Sequence, residues 1–154
     1  MHAVTEFVSK PRTREALDAI MPTEFQACNM HVYVKFLFDW MKEYDRALPA
    51  MLHAGINILI YAGDADFICN WMGNQAWVEQ MEWSGQEAFN KAKDVPFMLP
   101  DGKSYGVGKS SKGKEKNGGT LTFLRIYEAS HMAPRDQPEA TQTMLNRFIK
   151  SGGV

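Results

Sequence analysis

One segment limits the fold more than any other. Residues 56–62 read Ile-Asn-Ile-Leu-Ile-Tyr-Ala, a β-branched and nearly continuous apolar run that stops at Gly63-Asp64-Ala65-Asp66. Seven residues bounded by turn formers are too few for a stable helix and fit a strand buried on both faces of a parallel sheet. Helix-compatible sequence follows, with Trp77, Val78 and Met81 at helical spacing within residues 71–81, and then residues 86–93. A second strand is predicted over residues 121–127, followed by a turn at 128–134. A closing helix is predicted over residues 138–150, with Pro138 in its first turn, Asp136 or Gln137 near its cap, and Met144, Leu145, Phe148 and Ile149 facing inward. Strand, helix, strand, helix is the α/β pattern, and no internal repeat competes with it.

Upstream, a short helix is predicted over residues 13–20. A longer one is predicted over residues 31–45, where Phe36, Trp40, Tyr44 and Leu48 recur every four residues and should form a packed face. Pro49 suits the first turn of another short helix ending at His53, with Gly55 as its left-handed stop. Residues 94–119 carry Pro96, Pro100, six glycines, three serines and five lysines, and read as a Lys/Gly-rich hairpin or loop rather than a core element. At 154 residues and 45% hydrophobic content, the expectation is a single domain spanning 1–154.

Charge and cysteine content exclude several functions. Lys plus Arg number 17 against 18 Asp plus Glu, which gives no nucleic-acid footprint. No apolar stretch approaches the roughly 18–20 residues that cross a bilayer, so no membrane partner is expected. The first residues lack the basic and apolar regions of an export signal. Cys28 and Cys69 are too few for a disulfide framework, and the four histidines show no metal-ligand spacing, so no metal or other cofactor is expected.

In open α/β sheets, ligands and reactive groups gather beyond the carboxyl ends of the parallel strands. Asp66 follows the first predicted strand and His131 the second, so both fall at that edge. Alone, either residue could be an acidic turn or a capping histidine. Their order, Asp before His, matches the tail of the Ser, Asp, His order of α/β-hydrolases. Two other motifs fail their context. Gly102-Lys103-Ser104-Tyr105-Gly106 has the G-x-S-x-G spacing, but lies in the Lys/Gly-rich segment, without a buried strand before it and between Asp66 and His131. Gly106-Val107-Gly108-Lys109-Ser110 lacks the first glycine of a phosphate-binding loop, because Lys103 stands there.

The string Tyr61-Ala62-Gly63-Asp64-Ala65-Asp66-Phe67-Ile68-Cys69-Asn70-Trp71-Met72-Gly73-Asn74 closely resembles the acid-bearing motif of serine carboxypeptidases. Ala129-Ser130-His131-Met132-Ala133-Pro134, with Asp136-Gln137-Pro138, resembles their His-bearing motif. The likeness runs from about Glu6 to the end of the sequence and corresponds to the last third or so of a complete member. It implies the C-terminal part of an α/β-hydrolase fold, with Asp66 and His131 as the acid and base of a catalytic triad. Met132 and Cys69 would contact the peptide substrate, Met132 at the pocket for the leaving amino acid and Cys69 at the pocket for the residue before it. Cys28 would pair with a cysteine outside this sequence. The nucleophilic Ser, within Gly-Glu-Ser-Tyr-Ala-Gly in complete members, has no counterpart here, so the chain is expected to be inactive alone and to need a Ser-bearing N-terminal part as partner. The same resemblance implies a lysosomal, vacuolar or secreted full-length protein. Two other classes of function compete: a non-catalytic subunit that docks onto a Ser-bearing chain and self-associates without it, and a phosphate-binding module built on Lys103, Lys109, Lys112, Lys114 and Lys116.

Overall fold

The computed structural model describes residues 2–19 and 25–153, which divide into two compact units on either side of the Glu43–Tyr44 bond. The first unit contains α1 (His2–Ser9), α2 (Pro11–Ala16) and α3 (Met30–Phe36). Pro11 opens α2, where its missing N–H costs nothing, and the Asn29 side chain caps α3 by accepting from His31 and Val32 N–H. The helix predicted over residues 13–20 is therefore displaced: α2 ends at Ala16, and residue 20 lies outside the described residues. The longer helix predicted over 31–45 stops at Phe36 and gives way to tight turns. Of its supposed packed face, Phe36, Trp40 and Tyr44 are all more than half exposed, while Leu48 packs against the core of the second unit. Apolar spacing alone does not propagate a helix, since most helical stability comes from burying that face.

The second unit begins with a 3-10 turn (Tyr44–Ala47) and α4 (Leu48–His53). It continues through β1 (Ile58–Gly63), α5 (Trp71–Gln80), α6 (Gln86–Lys91), β2 (Val95–Met98), β3 (Ser104–Lys112), β4 (Thr120–Ile126), α7 (Ala133–Asp136) and α8 (Pro138–Ser151). Gly55 and Gly152 take left-handed conformations after α4 and α8, the backbone region that glycine enters without steric penalty.

The four strands form one mixed sheet in the order β1-β4-β3-β2. The β1 and β4 strands run parallel, Ile58 opposite Leu121 through Gly63 opposite Ile126, while β3 is antiparallel to both β4 and β2. Because side chains alternate along a strand, β4 feeds two cores. Leu121 and Phe123 pack with Leu52, Ile58, Val78, Met81, Trp83 and Phe89 on one side. Leu124 and Ile126 pack with Phe97, Leu99, Ala129, Ala133, Ala140 and Met144 on the other. Full burial of such side chains stabilises by about 1.5–3 kcal/mol each, which makes β4 the rigid centre from which the loop carrying His131 departs. This is an α/β fold with helices flanking the sheet.

Three sequence expectations need correction here. The β1 strand is not buried on both faces: Tyr61 is exposed and Leu59 and Ile60 only partly covered, because among the described residues β1 pairs on one edge alone. Residues 94–119 are more than a loop, since they supply β2, β3 and the core residues Phe97 and Leu99. On α8, Leu145 and Ile149 face outward while Met144 is buried. Among the described residues, no helix is long and apolar enough to cross a membrane.

Candidate active site

The parallel pairing of β1 with β4 brings two loops side by side at the carboxyl ends of both strands. Backbone bonds carry the ladder past the strands, Asp64 N–H donating to Ile126 O and Ala65 N–H to Ala129 O, each at 2.9 Å. The approach is so close that Gly63 has no room for a side chain: a Cβ there would lie 2.2 Å from Ala129 O and 2.6 Å from Ser130 O. After β4 the chain turns at Glu128, a non-glycine residue held at φ +53. This reversal delivers His131 back towards β1.

Asp66 sits one turn beyond β1 and is largely buried. One carboxylate oxygen, Oδ1, accepts from Ile68 N–H at 3.0 Å and Cys69 N–H at 2.9 Å, so the loop's own backbone fixes the carboxylate's orientation. The other oxygen, Oδ2, lies 2.9 Å from Nδ1 of His131. The Cys69 N–H is the main cause of a carboxyl pKa below its usual range. Desolvation opposes it, and the His131 contact adds to it. A carboxylate held ionised can only accept, so the proton in this contact belongs to His131 Nδ1, and in the neutral imidazole the lone pair then lies on Nε2. The imidazole is two-thirds exposed, at 67%. The pair is thus a buried, fixed acid gripping an accessible base.

The loop from Asp66 to Asn70 is tied to α5. Asn70 caps that helix through Gly73 N–H at 2.8 Å, and the Asn74 amide donates to Cys69 O and Asn70 O, each at 3.0 Å. The guanidinium of Arg125 lies over the Trp71 ring, 4.3 Å from its centroid, and so packs the first residue of α5 against β4.

Asp66, Cys69, Ser130 and His131 share the wall of one small cleft of about 180 Å³. Met132, the next residue along, is exposed and does not line that cleft. Asp66, Cys69 and His131 also present donor atoms within 4.8 Å of one another, the one group of described residues close enough to share a cation. A larger apolar groove of about 680 Å³ lies between β1 and α8, sharing Tyr61 with the cleft but lined by neither Asp66 nor His131. Both cysteines are free thiols at the surface.

Neither rejected motif has the local fold its pattern would require, and both run into or lie within a strand rather than the solvated turn expected of them. Ser104 opens β3 in an antiparallel hairpin and its hydroxyl donates to Gly106 O, so no strand-to-helix elbow surrounds it. Residues 106–110 lie within extended strand β3 rather than in a loop, and Lys109 departs from the solvated hairpin expected of it. Its ammonium is buried 2.7 Å from Glu79 Oε1 and 4.9 Å from the centroid of the Phe89 ring. Of the five lysines, Lys109 is withdrawn into this ion pair, while Lys103, Lys112, Lys114 and Lys116 stay exposed.

One feature of the site escaped the sequence reading. Asp136 does not cap α8, whose N-cap is Gln137 without a side-chain bond. Its carboxylate accepts from the Ser130 N–H at 2.8 Å and from the Ser130 hydroxyl. Those two donors hold the carboxyl below its usual range, the hydroxyl most strongly. The sequence offered Asp136 within the His-bearing motif and near a predicted helix start, but no local spacing pointed to its bond with Ser130.

Comparison with known proteins agrees with this geometry. The model of the serine carboxypeptidase family (peptidase S10) matches residues 1–151. Serine carboxypeptidase-like 47 of Arabidopsis thaliana is 43% identical over 94% of this chain, and carboxypeptidase Y of Candida albicans is 43% identical over 95%. Carboxypeptidase Y homolog A of Leptosphaeria maculans is 44% identical over 95% of the chain. The chain spans about a quarter of the length of these relatives, 26–27%. A family match running through both motifs, on a sheet that brings their acid and imidazole into contact, means that this chain belongs to the serine carboxypeptidase family.

Proposed function

We propose that this chain supplies the acid and the general base of a serine-type carboxypeptidase centre, which removes C-terminal residues from peptides through an acyl-enzyme. Asp66 fixes the tautomer and orientation of His131. His131 Nε2 takes the proton of a serine hydroxyl as that oxygen attacks the scissile carbonyl, then returns it to the leaving amino group. Water repeats the cycle to release the acyl group. Cys69, in the same cleft, and exposed Met132 contact the substrate residues on either side of the scissile bond. The nucleophile lies on a partner segment, because no serine in this sequence occupies a nucleophile elbow and Ser130, beside His131, is bonded to Asp136. The chain alone is therefore inactive.

The single observation carrying this reading is the 2.9 Å contact between His131 Nδ1 and Asp66 Oδ2 at the carboxyl ends of two parallel strands. Its test is a chimera in which this chain replaces the matching quarter of the Candida albicans relative. The chimera should hydrolyse a blocked dipeptide and lose about 10⁴-fold in kcat with Asp66→Asn, and more with His131→Ala. Undiminished turnover in both variants would refute it, as would fluorophosphonate-sensitive turnover by the chain alone.

A second reading, a non-catalytic subunit that docks onto a Ser-bearing chain, is favoured by the edge of β1 left unpaired among the described residues and the apolar groove beside it. A serine segment adding a strand there would complete the sheet. A chimera that assembles yet stays inactive selects this reading over the first.

A further inference from the structure

We propose that Asp136 is the positioning residue that holds His131 against Asp66. The inference rests on the reading of those two residues as the working pair. With two-thirds of its side chain exposed, His131 is not locked by packing, so its aim depends on the main chain that carries it. On the upstream side that main chain is fixed by Ala129 O, which accepts from Ala65 N–H. The next residue, Ser130, directs both its N–H and its hydroxyl at one carboxylate oxygen of Asp136. Asp136 is held in turn by its own N–H, which donates to Met132 O at 3.1 Å. His131 thus sits inside a ring closed by the Ser130–Asp136 bonds and anchored at Ala129 to the loop that bears Asp66.

The chemistry suits positioning rather than bulk stability. Ser130 and Asp136 are both exposed, so removing the carboxylate strands no buried group and leaves the two cores untouched. A doubly accepting anion nevertheless fixes a peptide plane more firmly than water, which exchanges. What should be lost with Asp136 is the angle at which the next residue leaves the loop.

The test is long-range ¹H–¹⁵N NMR of the full chain with labelled histidine, read together with thermal melting. The parent should show His131 locked in the Nδ1–H tautomer. In Asp136→Ala that lock should be lost, with His2, His31 and His53 unchanged and the melting temperature within about 2 °C of the parent's. Asp136→Asn, which keeps one acceptor oxygen, should retain part of it. A parent-like tautomer in a folded Asp136→Ala chain overturns the inference while leaving the Asp66–His131 pair intact. Absence of the Nδ1–H tautomer in the parent sinks the pair itself and this inference with it. Should Asp136→Ala fail to fold, Ser130→Ala and Asp136→Asn decide, and parent-like spectra in both overturn the assignment.

Discussion

Replacing Gly63 with alanine tests whether the contact between the two loops is as tight as the structure requires. The added Cβ would lie 2.2 Å from Ala129 O, against 3.4 Å at the onset of ordinary contact, a shortfall of about 1.2 Å. The three nearest atoms it meets, all within 3 Å, are backbone, so side-chain rotation does not relieve the overlap with them. The end of β1 must separate from residues 129–130, and the Ala65–Ala129 bond opens with it. Overpacking of this kind costs about 1–3 kcal/mol, equivalent to a melting temperature lower by about 2–12 °C for a chain of this size. His131 is two residues from the clash, so a shift on the order of 1 Å moves its ring beyond hydrogen-bond reach of Asp66. In an active chimera, displacement on that scale should lower kcat by about 10²-fold. Gly153→Ala is the control, because a Cβ there meets nothing within 4 Å. Thermal melting and the His131 tautomer measure the two effects separately. A Gly63→Ala chain that melts with the parent and keeps the Nδ1–H tautomer would refute the geometry argued here.

Glu79→Gln leaves Lys109 buried without its carboxylate and should destabilise by about 1–3 kcal/mol, below the range for fully buried pairs because Glu79 is about one-third exposed. Lys109, then Gln75, hold the Glu79 carboxyl below the usual glutamate range, so the ion pair stabilises fully above that range and is lost as pH falls through the lower folded-state value. The melting-temperature gap between parent and Glu79→Gln should be constant above about pH 5.5 and close on acidification; a gap that widens contradicts the assignment. The Asp66 carboxyl, lowered chiefly by Cys69 N–H, should titrate by ¹³C NMR below the range of an ordinary aspartate, and a value at or above that range would mean the loop does not cradle it. The edge of β1 that is unpaired among the described residues, with exposed Tyr61, Leu145 and Ile149, should make the isolated chain self-associate. Light scattering should report species larger than the monomer, reduced by Leu145→Asp with Ile149→Asp, and a clean monomer at high concentration would count against an uncovered face.

Local patterns in the sequence pointed to strands over 56–62 and 121–127, which fold as 58–63 and 120–126, to the helices after them, and to the residues that could meet at their carboxyl ends. These features depend on neighbours in the chain: β-branched runs, Pro138 at a helix start and glycines at helix ends. Burial was not legible in the same way. The apolar spacing of Phe36, Trp40 and Tyr44 matched a packed helix face, yet these side chains are exposed, because periodicity says what could be covered and not whether anything covers it. The same reasoning accounts for Tyr61, Leu145 and Ile149. Lys109 failed in the opposite sense, since its burial depends on Glu79, thirty residues away on another element. The Asp66–His131 contact combined both levels: two motifs nominated the residues, but only the parallel pairing of β1 with β4 brought them to 2.9 Å. The Ser130–Asp136 ring and the tightness at Gly63 were decided by tertiary structure alone, because each depends on distances between chain segments that no local spacing encodes.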